Sequence, residues 1–186
     1  YGCLEQTSSS ARPLLYIKNL LPAIDPKVLA DGSVEEKFMA GVRRLLAMQT
    51  YDGGFAYWPG DERNTLWGTA NVTYLLLEAI NAGYPVPRER VDEALGFIER
   101  TLTDSPELVD NYGDSVPAAE PFMQFVLARA GRGRAKRVQE LIASPNPKWG
   151  ALKTENLYLL KAALYLMGDR TWESELKNPS VTIPPS

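Results

Sequence analysis

Apolar residues recur at helical spacing along most of the chain. In the segment SVEEKFMAGVRRLLAMQ, Phe38, Val42, Leu45 and Leu46 fall on one face of a helix. LWGTANVTYLLLEAINAG has a second strong helical pattern and ends at Gly83, a common helix stop. Further helical segments are RPLLYIKNLL, PRERVDEALGFIERTL, AAEPFMQFVLARAG, RAKRVQELIAS and ENLYLLKAALYLMG, with a short stub in TWESELK. Because no segment alternates convincingly as a strand would, the sequence predicts an all-α fold.

The predicted helices alternate between two kinds. TYLLLEAINAG, PFMQFVLARAG and LYLLKAALYLMG are apolar on most sides and close on Gly, and each precedes a more charged, amphipathic helix. This alternation is typical of the inner and outer layers of stacked helical hairpins. We therefore predict an α/α toroid with roughly four hairpins, the last one short. Because closed toroids usually have more hairpins than that, we expect this one to be incomplete. It is assigned to residues 1–178, and residues 179–186 form a Pro-rich tail.

Composition excludes several classes of chemistry. The chain has 186 residues, a net charge of −3, one Cys and no His. An acidic chain offers no basic footprint for nucleic acid. Without His, neither a Cys–His or Ser–His nucleophile pair nor a zinc site of Cys and His can form within the chain. Glycine-rich phosphate loops are also missing. We predict no cofactor and no metal.

The connection QTYDGGFAYWPG joins two of the strongest helix patterns. Its simplest interpretation is a glycine turn at Asp52, Gly53 and Gly54, with aromatic side chains covering the helix ends. It also resembles the Q-x-D-G-G-x-x-x-W element of α/α toroids, found in terpenoid cyclases, prenyltransferase β-subunits and complement-type thioester domains. Prenyltransferases need a His ligand for zinc, and protonating cyclases need a D-x-D-D acid; the chain has neither.

Carboxylates are the remaining candidates for acid–base chemistry. Asp110 and Asp114 bracket the segment DNYGD, which we interpret as a solvated loop. Asp61, Glu62 and Glu120 could form a glycosidase pair across different helices, but the sequence cannot pair them. Solvated surface acids are the favoured interpretation of all three. The basic segment GRGRAKR is likewise interpreted as a solvated turn.

The first residues, YGCLEQTSS, place the only Cys three positions before a Gln at the start of a predicted helix. Residues three apart on a helix are neighbours, so the Cys3 sulfur and the Gln6 carboxamide carbon can meet. The chemistry that uses such a pair is an internal thioester, in which the thiol displaces ammonia from the carboxamide. The positive end of the helix dipole favours the thiolate. On spacing alone, a small buried thiol remains the simpler alternative.

YGCLEQT resembles the thioester motif of the α2-macroglobulin and complement superfamily. Vertebrate members read G-C-G-E-Q, and bacterial α2-macroglobulins read C-L-E-Q after Tyr-Gly, so Leu4 indicates the bacterial branch. The resemblance implies that Cys3 donates the thioester sulfur and Gln6 donates the acyl group; no role is carried over to Glu5. The toroid and its D-G-G-F…W element agree with the thioester domain of that family.

The resemblance implies a covalent protease trap that acts once and is not a turnover enzyme. Protease cleavage of a bait segment outside this chain would expose the thioester, which then acylates lysines of the attacking protease. Partners would be target proteases, other domains of the parent protein and a peptidoglycan-synthesising penicillin-binding protein. The parent would be periplasmic, anchored to the inner membrane as a lipoprotein. Some complement proteins use a His in this domain, which this chain lacks.

Aromatic residues are candidates for shielding the thioester: Tyr1, Tyr57, Trp58 and Trp67. Ordinary core and turn packing is an equally good interpretation of each. Two other functions stay open at this stage. One is a toroid enzyme acting on a carbohydrate or isoprenoid, with Cys3 in its core; the other is a helical scaffold that binds protein.

Overall fold

The computed structural model describes residues 2–24 and 33–178, except for the side chains of residues 18–24. Tyr1 and the predicted Pro-rich tail lie outside these residues. The helices are α1 (Leu4–Ile24), α2 (Ser33–Leu46), α3 (Leu66–Asn81), α4 (Arg88–Asp104), α5 (Val116–Arg129), α6 (Ala135–Ala143), α7 (Lys153–Leu166) and α8 (Glu173–Lys177). A 3₁₀ helix, Pro147–Leu152, precedes α7. In the described residues, β structure is limited to isolated bridges, which confirms the predicted all-α class.

The chain divides into two compact units, Tyr1–Val116 and Pro117–Ser186. In the first, α1 packs against α2, α3 packs against α4, and α1 also contacts α3. Helix α3 is buried on nearly all sides, including its polar residues Thr69, Asn71 and Thr73. The amphipathic α2 and α4 bury one face each. The alternation of inner and outer helices is therefore confirmed in this unit.

The second unit is built on the pair α6 and α7, which pack against each other. Its core gathers Val138, Leu141, Trp149 and Leu160. Trp149 comes from the 3₁₀ helix, which the hydrophobic pattern did not predict, and its indole N–H donates to the Pro117 carbonyl at 2.9 Å. The stub α8 packs on α7.

Helix α1 begins earlier than its apolar pattern indicates. The strongest pattern starts after the polar run Thr7–Ser10, yet the helix starts at Leu4. Leu4 explains the difference, because its side chain is only 1% exposed and its N–H donates to the Tyr57 carbonyl at 3.0 Å. Thr7 and Ser8 are consequently buried inside the helix and do not cap it.

The glycine turn between α2 and α3 has the conformation that its sequence predicts. Gly53 has φ of 94°, and a Cβ there would collide with the Glu93 carbonyl of α4. The Gln49 side-chain amide donates to the Gly53 carbonyl at 3.0 Å and to the Arg90 carbonyl at 2.8 Å. The connection therefore fixes the end of α2 against the start of α4.

Among the helices that the structure describes, none combines the length and the apolar character needed to cross a membrane.

Two glycine substitutions should separate backbone strain from steric collision. Gly83 also has a positive φ, 85°, but a Cβ there would meet nothing within 4 Å. We expect Gly83→Ala to lower the free energy of unfolding by about 1–2 kcal/mol, the cost of a left-handed residue. Gly53→Ala should cost about 1–3 kcal/mol more, because it also overpacks against Glu93. Urea unfolding measures both; equal losses would contradict the close approach at Gly53.

Candidate functional site

Cys3 and Gln6 form half of a capping box at the start of α1. Cys3 is the N-cap, since its carbonyl accepts the first helical hydrogen bond from the Thr7 N–H at 2.9 Å. Gln6 is the third helical residue, and its Oε1 accepts from the Cys3 N–H at 3.2 Å. This is the reciprocal bond that a Gln at that position makes in a capping box. The helix start therefore turns the Gln6 carboxamide back toward Cys3, whose side chain is partly buried.

The carbonyl of Gly2 is a second fixed point of this helix start. The Arg44 guanidinium, in the last turn of α2, donates to it through Nε at 3.0 Å and Nη2 at 2.6 Å. The Thr7 hydroxyl donates to the same oxygen at 3.3 Å. Residue 2 is Gly because a Cβ would lie 3.1 Å from the Gln6 Cβ and 3.3 Å from the Thr7 hydroxyl. The segment before Cys3 is thus held against both α1 and α2.

Leu4 attaches the segment YGCLEQT to α3 and to the glycine turn. Its side chain enters the space left by Gly68 in α3, where a Cβ would collide with the Leu4 Cδ2. Its N–H has no acceptor within α1 and is satisfied by the Tyr57 carbonyl. The glycine turn and the first helix therefore meet at one end of the unit, and Leu4 connects them.

Glu5 is exposed and pairs with Tyr57. The Tyr57 hydroxyl donates to Glu5 Oε1 at 2.9 Å, and the Tyr57 ring packs edge-on against Tyr112 with centroids 4.5 Å apart. Burial, together with the hydrogen bond to the Glu5 carboxylate, raises the pKa of Tyr57 to about 12. Tyr57 therefore keeps its proton and donates to Glu5 throughout the neutral range.

Asp110 has a structural role that the solvated-loop interpretation missed. Asp110 Oδ2 accepts from the Leu66 N–H at 2.8 Å and caps α3, while its Oδ1 accepts from the N–H groups of Tyr112 and Asp114. Burial and the nearby Asp110 charge raise the pKa of Asp114. The Glu5 carboxylate contributes to this rise as well.

The expectation that Glu120 is a solvated surface acid is wrong. It is 7% exposed, and both of its oxygens accept from Arg137, at 2.8 Å each. Burying a carboxylate without a partner is costly, so the ion pair explains how α5 tolerates it. Asp61 accepts two side-chain hydrogen bonds from Arg63, which lower its pKa to about 2. Glu62 is exposed.

The shielding candidates occupy different environments. Tyr57 touches the motif through its carbonyl and its hydroxyl. Trp58 and Trp67 are 49% and 43% exposed. Tyr1 lies outside the described residues. Shielding of Cys3 by any of the four stays a prediction.

A cleft of about 340 Å³ borders the Gln6 side chain between α1 and α2. Gly2, Ala11 and Gly41 contribute to its walls, and Lys37 lines it as well. The cleft leaves room for a small nucleophile beside Gln6. In the described residues, no group of three or more His, Cys, Asp or Glu is placed to hold a metal ion.

Arg44 is the site residue that sequence reasoning missed. The chain has 20 Lys and Arg residues, and an Arg in the last turn of an amphipathic helix is ordinarily a solvated cation. The predicted hairpin could have indicated this role, because antiparallel packing of α1 and α2 brings the end of α2, and with it Arg44, beside the start of α1.

The fold agrees with that of known proteins. No family model matches the chain. Alpha-2-macroglobulin of Escherichia coli (strain K12) is 32% identical over 176 residues, covering 92% of this chain and 10% of that protein. Salmonella alpha-2-macroglobulin reacted with methylamine matches with a TM-score of 0.77 and 30% identity, over 95% of this chain and 12% of that one. Escherichia coli alpha-2-macroglobulin activated by porcine elastase matches with a TM-score of 0.76 and 30% identity, over 95% and 16%.

The solved structures share the all-α fold of this chain across nearly its full length. The chain is homologous to the bacterial alpha-2-macroglobulins. It spans 10% of the length of the curated relatives that it matches.

The Tyr57–Glu5 bond should be visible in a pH titration. Glu5→Gln removes the negative charge that Tyr57 faces, so the pKa of Tyr57 should fall from about 12 toward its ordinary value of 10.0. Because burial and the Glu5 bond raise the folded pKa, protonated Tyr57 stabilises the fold fully below pH 10.0, and this contribution is lost as pH rises through about 12. Titration of the Tyr57 ring by NMR measures the shift. Glu36→Gln, an exposed glutamate of α2, is the control; an unchanged Tyr57 pKa in Glu5→Gln would contradict the contact.

Proposed function

We propose that this chain is the thioester domain of a bacterial alpha-2-macroglobulin-like protease inhibitor. Cys3 and Gln6 would form an internal thioester, and the activated protein would acylate lysines of an attacking protease. The observation that carries the proposal is the capping-box bond between Gln6 Oε1 and the Cys3 N–H at 3.2 Å, which brings the two reacting residues together at a helix start. Homology to the bacterial alpha-2-macroglobulins supports it.

Thioester formation requires only the two side chains. The Cys3 sulfur attacks the Gln6 carboxamide carbon, and negative charge develops on Oε1. The intermediate then collapses with loss of ammonia, which carries away the thiol proton. The Cys3 N–H, which donates to Oε1, and the positive end of the α1 dipole would both stabilise that charge.

In acyl transfer the sulfur, which was the nucleophile in thioester formation, becomes the leaving group. An unprotonated amine attacks the thioester carbonyl, the carbon–sulfur bond breaks, and the Cys3 thiolate takes up the proton that the amine releases. An amide bond then joins Gln6 to the target. Because Gln6 is consumed, each molecule reacts once, as expected of a trap and not of a turnover enzyme. Reaction of a Salmonella homologue with methylamine is consistent with this chemistry.

The protease is the target that the homologues suggest. An Escherichia coli alpha-2-macroglobulin is activated by porcine elastase, and we extend that type of partner to the longer protein of which this chain would be a part. Periplasmic location, a lipid anchor on the inner membrane and a penicillin-binding protein as partner rest on the family resemblance, and they stay proposals.

Intact mass tests the proposed thioester directly. In the full-length protein that contains this chain, the wild type should be lighter than its sequence mass by one ammonia, and it should gain one methylamine when that amine is added. Cys3→Ser should have the full sequence mass and take up no methylamine. Since Ser is a good N-cap, this variant should keep the fold.

The exposed Ser9→Ala is the matched control and should behave as the wild type does. A wild-type mass equal to the sequence value, unchanged by methylamine, would refute the thioester. Uptake of methylamine by Cys3→Ser would show that the reactive group lies elsewhere.

The choice of nucleophile should strongly favour amines over alcohols. Unprotonated amines attack thioesters readily, whereas alcohols need a base to remove their proton. The chain has no His, and the oxygens of Asp110 already accept N–H groups. The activated protein should therefore incorporate labelled methylamine in large excess over labelled glycerol at equal concentration, increasingly as pH rises.

Hydroxylamine, which cleaves esters and spares amides, separates the two products. Comparable glycerol labelling that hydroxylamine removes would contradict the expected selectivity. If Asp114→Asn then abolished that labelling, Asp114 would be the base that replaces the missing His.

A further inference from the structure

We infer that Arg44 is a positioning residue for the thioester reaction, acting through the Gly2–Cys3 peptide group. It fixes that peptide and polarises it, so that the Cys3 N–H becomes the donor that stabilises negative charge on the Gln6 acyl oxygen. The inference rests on the proposed thioester, and it assigns a role to a residue outside the motif.

The Gly2–Cys3 peptide group connects Arg44 to Gln6. Its carbonyl, on Gly2, accepts from Arg44 Nε at 3.0 Å and Nη2 at 2.6 Å. Its N–H, on Cys3, donates to Gln6 Oε1 at 3.2 Å. The two ends of the same planar unit therefore contact a cation and the reacting oxygen. Rotation of this peptide would break both sets of hydrogen bonds together.

Arg44 acts on this peptide in two ways. A guanidinium that donates two hydrogen bonds to one carbonyl restrains its orientation and draws electron density toward the oxygen. Because the peptide is conjugated, loss of density at the carbonyl makes its N–H a stronger donor, and hydrogen bonds in series strengthen one another. The Thr7 hydroxyl adds a third, longer bond to the same carbonyl, at 3.3 Å.

The Cys3 N–H would stabilise negative charge on Gln6 Oε1 in both chemical steps. In thioester formation, the sulfur adds to the Gln6 carbonyl and negative charge appears on Oε1 until ammonia leaves. In acyl transfer, the amine adds to the same carbon and the charge returns to Oε1 until the thiolate leaves. A fixed donor aimed at that oxygen lowers the barrier of each step.

The surroundings favour this arrangement. Gly2 lacks the side chain that would push Gln6 away. Arg44 approaches from α2, the helix that packs on α1, so its position depends on the hairpin and not on the motif. Arg43, beside it in the sequence, is exposed and offers a matched variant with the same change of charge.

The test uses the full-length protein with glutamine side-chain carbonyls labelled with carbon-13. A thioester carbonyl resonates apart from amide carbonyls, so Gln6 is observed alone. Its resonance should move upfield in Arg44→Met, because a weaker hydrogen bond to the oxygen leaves the carbonyl less polarised. Arg44→Lys keeps the charge with a single donor group and should restore most of the shift.

Reaction rates provide the second measurement. Methylamine incorporation should slow roughly 10-fold in Arg44→Met, less than the roughly 10²–10³-fold loss that follows removal of an oxyanion donor itself. Arg44→Lys should recover most of the rate. Arg43→Met should match the wild type in both resonance and rate.

A wild-type resonance and rate in Arg44→Met would overturn the inference while leaving the thioester intact. So would an Arg43→Met variant that changes both as Arg44→Met does, since the effect would then be one of overall charge. If Arg44→Met failed to fold, Arg44→Gln, which removes the charge and keeps one neutral donor group, takes its place: a resonance upfield of the wild type supports the inference, and the wild-type resonance contradicts it. Absence of a thioester from the wild type would instead refute the proposed function itself.

Discussion

The structure around Cys3 depends on one constraint: the first N–H groups of a helix have no acceptor within it. The Cys3 N–H is satisfied by the Gln6 side chain, and the Leu4 N–H is satisfied by the Tyr57 carbonyl. An ordinary capping box would place Ser or Thr at the N-cap. Here the N-cap is a thiol, and the side chain that reaches back carries the carbon it can attack. Under the proposed function, a common stabilising device of helices would thus serve as a reactive pair.

The glycine turn, α2 and α3 each supply a contact that holds the start of α1 in place. The glycine turn delivers the Tyr57 carbonyl, and it packs closely on Glu93 of α4 and on Asn64 because Gly53 and Gly54 lack side chains. Helix α3 receives Leu4 at Gly68, and α2 brings Arg44 to the Gly2 carbonyl. Removing any of these contacts would leave a donor, an acceptor or a large apolar side chain without its partner.

The helices and the contact between Cys3 and Gln6 could be predicted because their signals are local. Helical spacing of apolar residues defined α2 to α7, and Gly83 marked the end of α3 with φ of 85°. The contacts across the fold could not be predicted, since a single sequence does not show which residues meet. Arg44 and Glu120 illustrate this limit: each looks like a solvated charge in the sequence, yet one binds the Gly2 carbonyl and the other is buried against Arg137.

The distances along the chain between Cys3 and its supporting residues bear on when the site is completed. Cys3 and Gln6 come together as soon as the first turn of α1 forms, but Arg44 lies 42 residues from Gly2, and Tyr57 lies 52 residues from Glu5. During synthesis the motif leaves the ribosome well before these partners do, and contacts of such separation cost more loop-closure entropy than contacts within one helical turn. Arg44 and Tyr57 therefore reach the helix start only when the first unit folds, so the proposed chemistry would begin only after these supporting contacts have formed.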